Sequence, residues 1–167
     1  METRDTALIL IRPEIPSAKI TSMMSDEEYF QNNTLRPIAK LQNDLLVEVF
    51  KNYARKHKNV FYGLSIEKRL DYVENAIQKD IKFRNSLKGI IIGQFTIQEY
   101  EVYTQNSSAL NKRMMNLVKE RIKSNIQLLA YAWLKRKVSM ETPTKVRWAN
   151  FMRYSLQNIV MNQKLKS

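Results

Sequence analysis

A single histidine, His57, stands in the run Arg55-Lys56-His57-Lys58. No carboxylate close in sequence can orient it as a general base. It reads as a surface residue at a helix end. Glu67, Asp71 and Glu74 share one helix face at i, i+4 and i+7, a spacing that a cation can use. Lys68 and Arg69 are interleaved with them, so the alternative is a solvated, charge-balanced face. The chain has no cysteine. That excludes disulfides, Cys-ligated zinc, iron–sulfur clusters and thiol catalysis. No glycine-rich phosphate loop, nucleophile elbow or His-Glu-x-x-His pattern occurs. No catalytic residue, metal ligand or cofactor is assigned.

Basic residues are the other group with chemical reach, and they are unevenly placed. The formal net charge is +12 over 167 residues. Residues 1–80 hold 12 Lys+Arg against 12 Asp+Glu, whereas residues 81–167 hold 16 against 4, so the whole excess lies in the second half. Such a field makes a polyanion the first partner to expect: RNA, DNA, an anionic membrane or an acidic protein surface. Lys112, Lys119 and Lys123 fall within about 40° of one another on a helix, with Asn116 on the same strip. Arg113 lies beside them, and Lys135, Arg136, Lys137 and Arg147 extend the basic character. These eight cations are the candidate phosphate contacts, with Asn111, Asn116 and Asn125 as hydrogen-bond donors to sugar or base edges. The alternative is a solvated outer face whose cations complement a helix C-terminus.

The elements that must position these groups read as helices. Glycine numbers 3 and proline 4, too few for the turns of an all-β fold. Ser25-Asp26-Glu27-Glu28 and Thr96-Ile97-Gln98-Glu99 both match the capping box. Ser65 and Ser107 or Ser108 are single caps, and Thr142-Pro143 places a cap before a first-turn proline. Apolar residues step by three and four: Ile38, Leu41, Leu45, Val49, then Ile66, Leu70, Val73, Ile77, Ile81. A long helix over 108–138 carries Met114, Val118, Ile122, Ile126, Leu129 and Trp133 on one face, and a last helix over 143–163 carries Trp148, Met152 and Ile159. Gly89-Ile90-Ile91-Ile92-Gly93 has strand-prone isoleucines, but Phe83, Leu87, Ile90 and Ile91 continue a helical stripe, so a buried helix ending near Gly93 is expected. Residues 1–24 read as an extended or disordered leader interrupted by Pro13 and Pro16. The expectation is an all-α, single-domain bundle of about six helices, with residues 25–138 as the helical domain and 139–167 as a basic C-terminal helix.

Neither the run Leu8–Ile11 nor the stretch Ile126–Leu134 approaches the roughly 20 apolar residues of a membrane span, and a cytoplasmic location is the default expectation. A helix-turn-helix can be laid over 80–106, but its second helix carries Glu99 and Glu101 and no base, which a duplex would repel. Six tyrosines (Tyr53, Tyr62, Tyr72, Tyr100, Tyr103 and Tyr131) are scattered at helical spacing and read as packing residues. Trp133, Trp148 and Phe151 stand nearer to cations and are the better base-stacking candidates, with core packing as their favoured reading.

Several stretches resemble a family of small helical bacterial proteins often catalogued as "glyoxalase". They are Leu35-Arg36-Pro37-Ile38, Lys51-Asn52-Tyr53, Lys56-His57-Lys58-Asn59, Lys82-Phe83-Arg84-Asn85-Ser86-Leu87-Lys88-Gly89, Ile92-Gly93-Gln94-Phe95-Thr96 and Asn106-Ser107-Ser108-Ala109-Leu110-Asn111-Lys112-Arg113-Met114-Met115. The resemblance covers residues 11–129 and implies a helical fold; it brings no functional residues with it. The label would imply lactoylglutathione chemistry. That chemistry uses either βαβββ units holding a metal with His, Glu or Gln, or a histidine-rich dinuclear site, and a helical chain with one histidine supplies neither set. From Ala130 the sequence departs from the pattern.

The leading expectation is a non-catalytic binding module docking on nucleic acid or a ribonucleoprotein through its basic C-terminal half. The second is a protein–protein adaptor or homo-oligomer using the Met114/Met115 and Ile90–Ile92 surfaces. A glyoxalase-type enzyme is the third and least favoured.

Overall fold

The computed structural model describes residues 3–16, 21 and 23–129. The chain divides after Leu129, and all described residues lie in the first unit. Residues 1–129 carry 20 basic and 15 acidic residues; 130–167 carry 8 and 1.

The described residues form helices and turns, with no strand among them. Eight α-helical segments follow in order: α1 Arg4–Leu10, α2 Asp26–Phe30, α3 Arg36–Leu41, α4 Asn43–Lys56, α5 Ile66–Lys79, α6 Ile81–Ile92, α7 Ile97–Gln105 and α8 Ser107–Ser124. Between α2 and α3, residues Gln31–Leu35 make a π-helical turn, and its flanking residues Phe30 and Arg36 are both right-handed helical. The backbone therefore stays helical from 26 to 41, with one widened turn inside it. Both expected capping boxes are formed: Ser25 with Glu28, and Thr96 with Glu99. Ser65 caps α5 by accepting from the Lys68 amide, and Asp80 caps α6 by accepting from the Phe83 amide.

α8 is the axis of the bundle, touching α3, α4, α5, α6, α7 and the π turn. Its inward stripe of Leu110, Met114, Val118 and Ile122 repeats every four residues and is buried throughout. Met115 is buried beside it. Met114 and Met115 are thus core residues and offer no surface to a second copy. Leu46 and Phe50 from α4, Val73 and Ile77 from α5, and Leu87 and Ile91 from α6 are buried with it. Gly89–Gly93 ends α6 as expected, with Gly93 at the C-cap. A methyl on Gly93 would meet the Gly89 carbonyl at 3.1 Å, so the closing turn is tight.

The structure differs from the sequence expectations at four places. Residues 4–10 of the leader are helical rather than extended; Thr3 caps them and the helix stops before Pro13. The stripe through Ile38, Leu41 and Leu45 breaks at Gln42, whose ψ of 6° resets the register. Leu45 is consequently 48% exposed, while Leu46, Phe50 and Ala54 take the core. Ile81 lies beyond the break at Asp80 and is 59% exposed. The long helix ends at Ser124, with a turn at Asn125 before helix resumes over 126–129. Its remainder, with Trp133 and the 143–163 helix, lies outside the described residues.

Candidate functional site

Of the eight candidate phosphate contacts, four are described and they divide in character. Lys112 is exposed on α8, as is Asn116 one turn later. Arg113 is half-buried and donates from Nη1 to the Gln31 Oε1 at 2.9 Å. Lys119 and Lys123 reach sideways to α5, where their Nζ atoms sit 3.2 and 2.6 Å from the two carboxylate oxygens of Glu74. Hydrogen bonds from Lys123 and Lys119 hold the Glu74 carboxyl below its ordinary value. The strip is therefore partly turned inward. Asn111 accepts from the Tyr103 hydroxyl, and Asn125 donates to Asn43 and to the Arg121 carbonyl, so both amides serve the fold. Lys135, Arg136, Lys137 and Arg147 lie outside the described residues.

The acidic face Glu67–Asp71–Glu74 does not gather. Glu74 is spent on the two lysines, and among the described residues no three His, Asp or Glu side chains assemble as a metal cluster.

Two constellations emerge that the sequence reading did not identify. The first is centred on Glu99. Its Oε1 accepts from Arg12 Nη1 at 2.5 Å and from Thr34 Oγ1 at 2.9 Å; its Oε2 accepts from Arg12 Nη2 and from the Thr96 amide, both at 2.8 Å. The Arg12 and Glu99 side chains are only 9% and 17% exposed. Burial alone would push the Glu99 carboxyl up, but the hydrogen bonds from Arg12, Thr96 and Thr34 outweigh it and leave the group below its ordinary value. Arg12 Nη2 also donates to the Gln94 carbonyl, Arg4 to the carbonyls of Phe95 and Gly93, and Asp5 accepts from the Ile97 amide. α1 buries none of its residues and is held by these polar contacts to the turn between α6 and α7. Glu99, on the helix that a helix-turn-helix reading would present to DNA, is thus turned inward.

The second constellation is an open cleft of about 620 Å³ where α4, α5 and the start of α6 meet. Tyr53, His57, Tyr72, Lys79, Asp80 and Lys82 line it. Tyr53 stacks on Phe83 with centroids 4.0 Å apart, and His57 packs against Tyr53 at 4.2 Å with its ring tilted by 37°. Behind them Phe50, Phe61 and Tyr72 form an edge-packed cluster. Burial pushes the Tyr53 phenol above its ordinary value, and the neighbouring Asp80 carboxylate adds to the rise. Tyr53 and His57 are four residues apart on one helix, a pairing readable from spacing. Phe83, which completes the stack, comes from a distant part of the chain.

Comparison with protein-family models, with curated proteins and with solved structures finds no match to this chain.

Proposed function

We propose that this protein is a cytoplasmic, non-catalytic helical module that docks on nucleic acid or a ribonucleoprotein through its basic second half. The observation that carries the reading is the sorting of charge: 16 basic and 4 acidic residues over 81–167, of which the carboxylate of Glu99 is already neutralised inside the fold. An exposed cation such as Lys112 keeps its field for a partner, whereas Lys119 and Lys123 share theirs with Glu74. The cations beyond residue 130 carry most of the excess. No helix among the described residues is long and apolar enough to cross a membrane.

The test is a mobility shift of RNA or DNA by the full chain. Affinity should fall by orders of magnitude between ~50 and ~200 mM salt if several phosphates are contacted. Glu74→Gln, which releases Lys119 and Lys123 from their carboxylate, should tighten binding and steepen its salt dependence. Charge reversal at Lys135, Arg136 and Lys137 should weaken it. Absence of any shift at low salt sinks the reading.

A further inference from the structure

The cleft at the α4–α5–α6 corner has a recognition chemistry that the basic face of α8 lacks. Two rings cannot share one face of a third at separations of 4.0 and 4.2 Å, so Phe83, Tyr53 and His57 form a column. Phe83 is its buried inner end and His57 its exposed outer end. The imidazole, tilted 37° on Tyr53, therefore presents a flat outer face supported by rings already in place, which costs little further ordering when something lands on it.

Cations surround that surface. Lys79 and Lys82 line the same cleft, and Arg55, Lys56 and Lys58 flank His57 along the turn that ends α4. All five are exposed, and none makes an ion pair or side-chain hydrogen bond among the described residues. Asp80, the carboxylate in the cleft lining, is occupied in capping α6. The backbone adds a separate sign. The Asn59 amide bonds to the Ala54 carbonyl and the Lys58 amide to Arg55, closing α4 in a Schellman turn. The position after the cap in such a turn favours glycine, yet here Lys58 occupies it at φ 57°. The fold tolerates strain at a residue whose side chain is a cation on this corner.

We propose that this corner binds single-stranded nucleic acid, one base stacking on the outer face of His57 with its neighbouring phosphates against Lys79, Lys82 and the Arg55–Lys58 turn. The ligand class follows from the pairing of a π platform with unpaired cations, which suits a flat base joined to phosphate. A duplex hides its base faces, and a polyanion without bases has no use for the ring column. The inference rests on nucleic acid being the partner and places it on a different face from α8.

His57 is the chain's single histidine, so its Cε1 proton gives one assignable resonance. At fixed pH and low salt, titrating the full chain with a short oligoadenylate should move that resonance upfield through the ring current of a stacked base. Inorganic polyphosphate should give no upfield displacement. His57→Ala should weaken binding roughly 5- to 100-fold, and His57→Phe should retain most of it. If the oligonucleotide shifts in a mobility assay while the His57 resonance stays in place and His57→Ala binds normally, the cleft is excluded and the wider reading survives. If no oligonucleotide binds at low salt, both fall.

Discussion

The two ends of α6 use charge in opposite ways. At its C-terminal end Arg12, Glu99, Arg4 and Asp5 are bound to one another or to backbone, and the carboxylate of Glu99 takes four hydrogen bonds. At its N-terminal end Lys79, Lys82, Arg55, Lys56 and Lys58 stand exposed around an aromatic column, with no carboxylate among the described residues holding them. Paired, buried charge fixes where chain segments sit, because removing one partner strands the other in a poor dielectric. Unpaired, exposed charge adds little to folding and keeps its field for a ligand. Stability and binding should therefore separate between the two ends.

The largest effect is expected at the paired end. Glu99→Ala leaves Arg12 buried without its counter-charge and should cost about 3 kcal/mol in urea unfolding, while nucleic-acid affinity of the folded fraction stays within twofold. Because the folded carboxyl lies below its ordinary value of 4.5, its stabilisation is fully present above that pH and lost as pH falls through the lower folded value. The stability gap between wild type and Glu99→Gln should accordingly narrow in acid below about pH 4.5. A gap that does not depend on pH would show that the ion pair is not what holds the leader.

A smaller effect of opposite sign is expected at the other end. Lys58→Gly relieves the left-handed lysine and should raise stability by roughly 0.5–1 kcal/mol, yet lower affinity for single-stranded nucleic acid. A variant more stable and equally tight would remove Lys58 from the binding surface.

The helical fold was largely legible because its signals are local. Ser25–Glu28 and Thr96–Glu99 announce helix starts within four residues, and the α8 stripe repeats within one helix. What escaped reading depends on distance in the chain. α1 is held through residues some 90 positions away, so Pro13 and Pro16 dominated the local signal. The resets at Gln42 and Asp80 shift the hydrophobic register without a glycine or proline to mark them, and the π turn at Gln31–Leu35 has only Pro37, just beyond it, as a local sign. The basic strip of α8 was legible in angle, but that Glu74 would claim Lys119 and Lys123 depends on α5 packing alongside. Likewise His57 read as a surface residue, which it is, while the column beneath it needs Phe83 from α6.

The most direct test of this division of labour is the salt dependence of oligoadenylate affinity for the full chain carrying Lys79→Gln and Lys82→Gln, measured alongside its urea midpoint. The account predicts an unchanged midpoint and a log–log salt slope shallower by about 1.4, the value for two lost single-strand phosphate contacts. An unchanged slope, or a lost affinity that tracks a fallen midpoint, would contradict it.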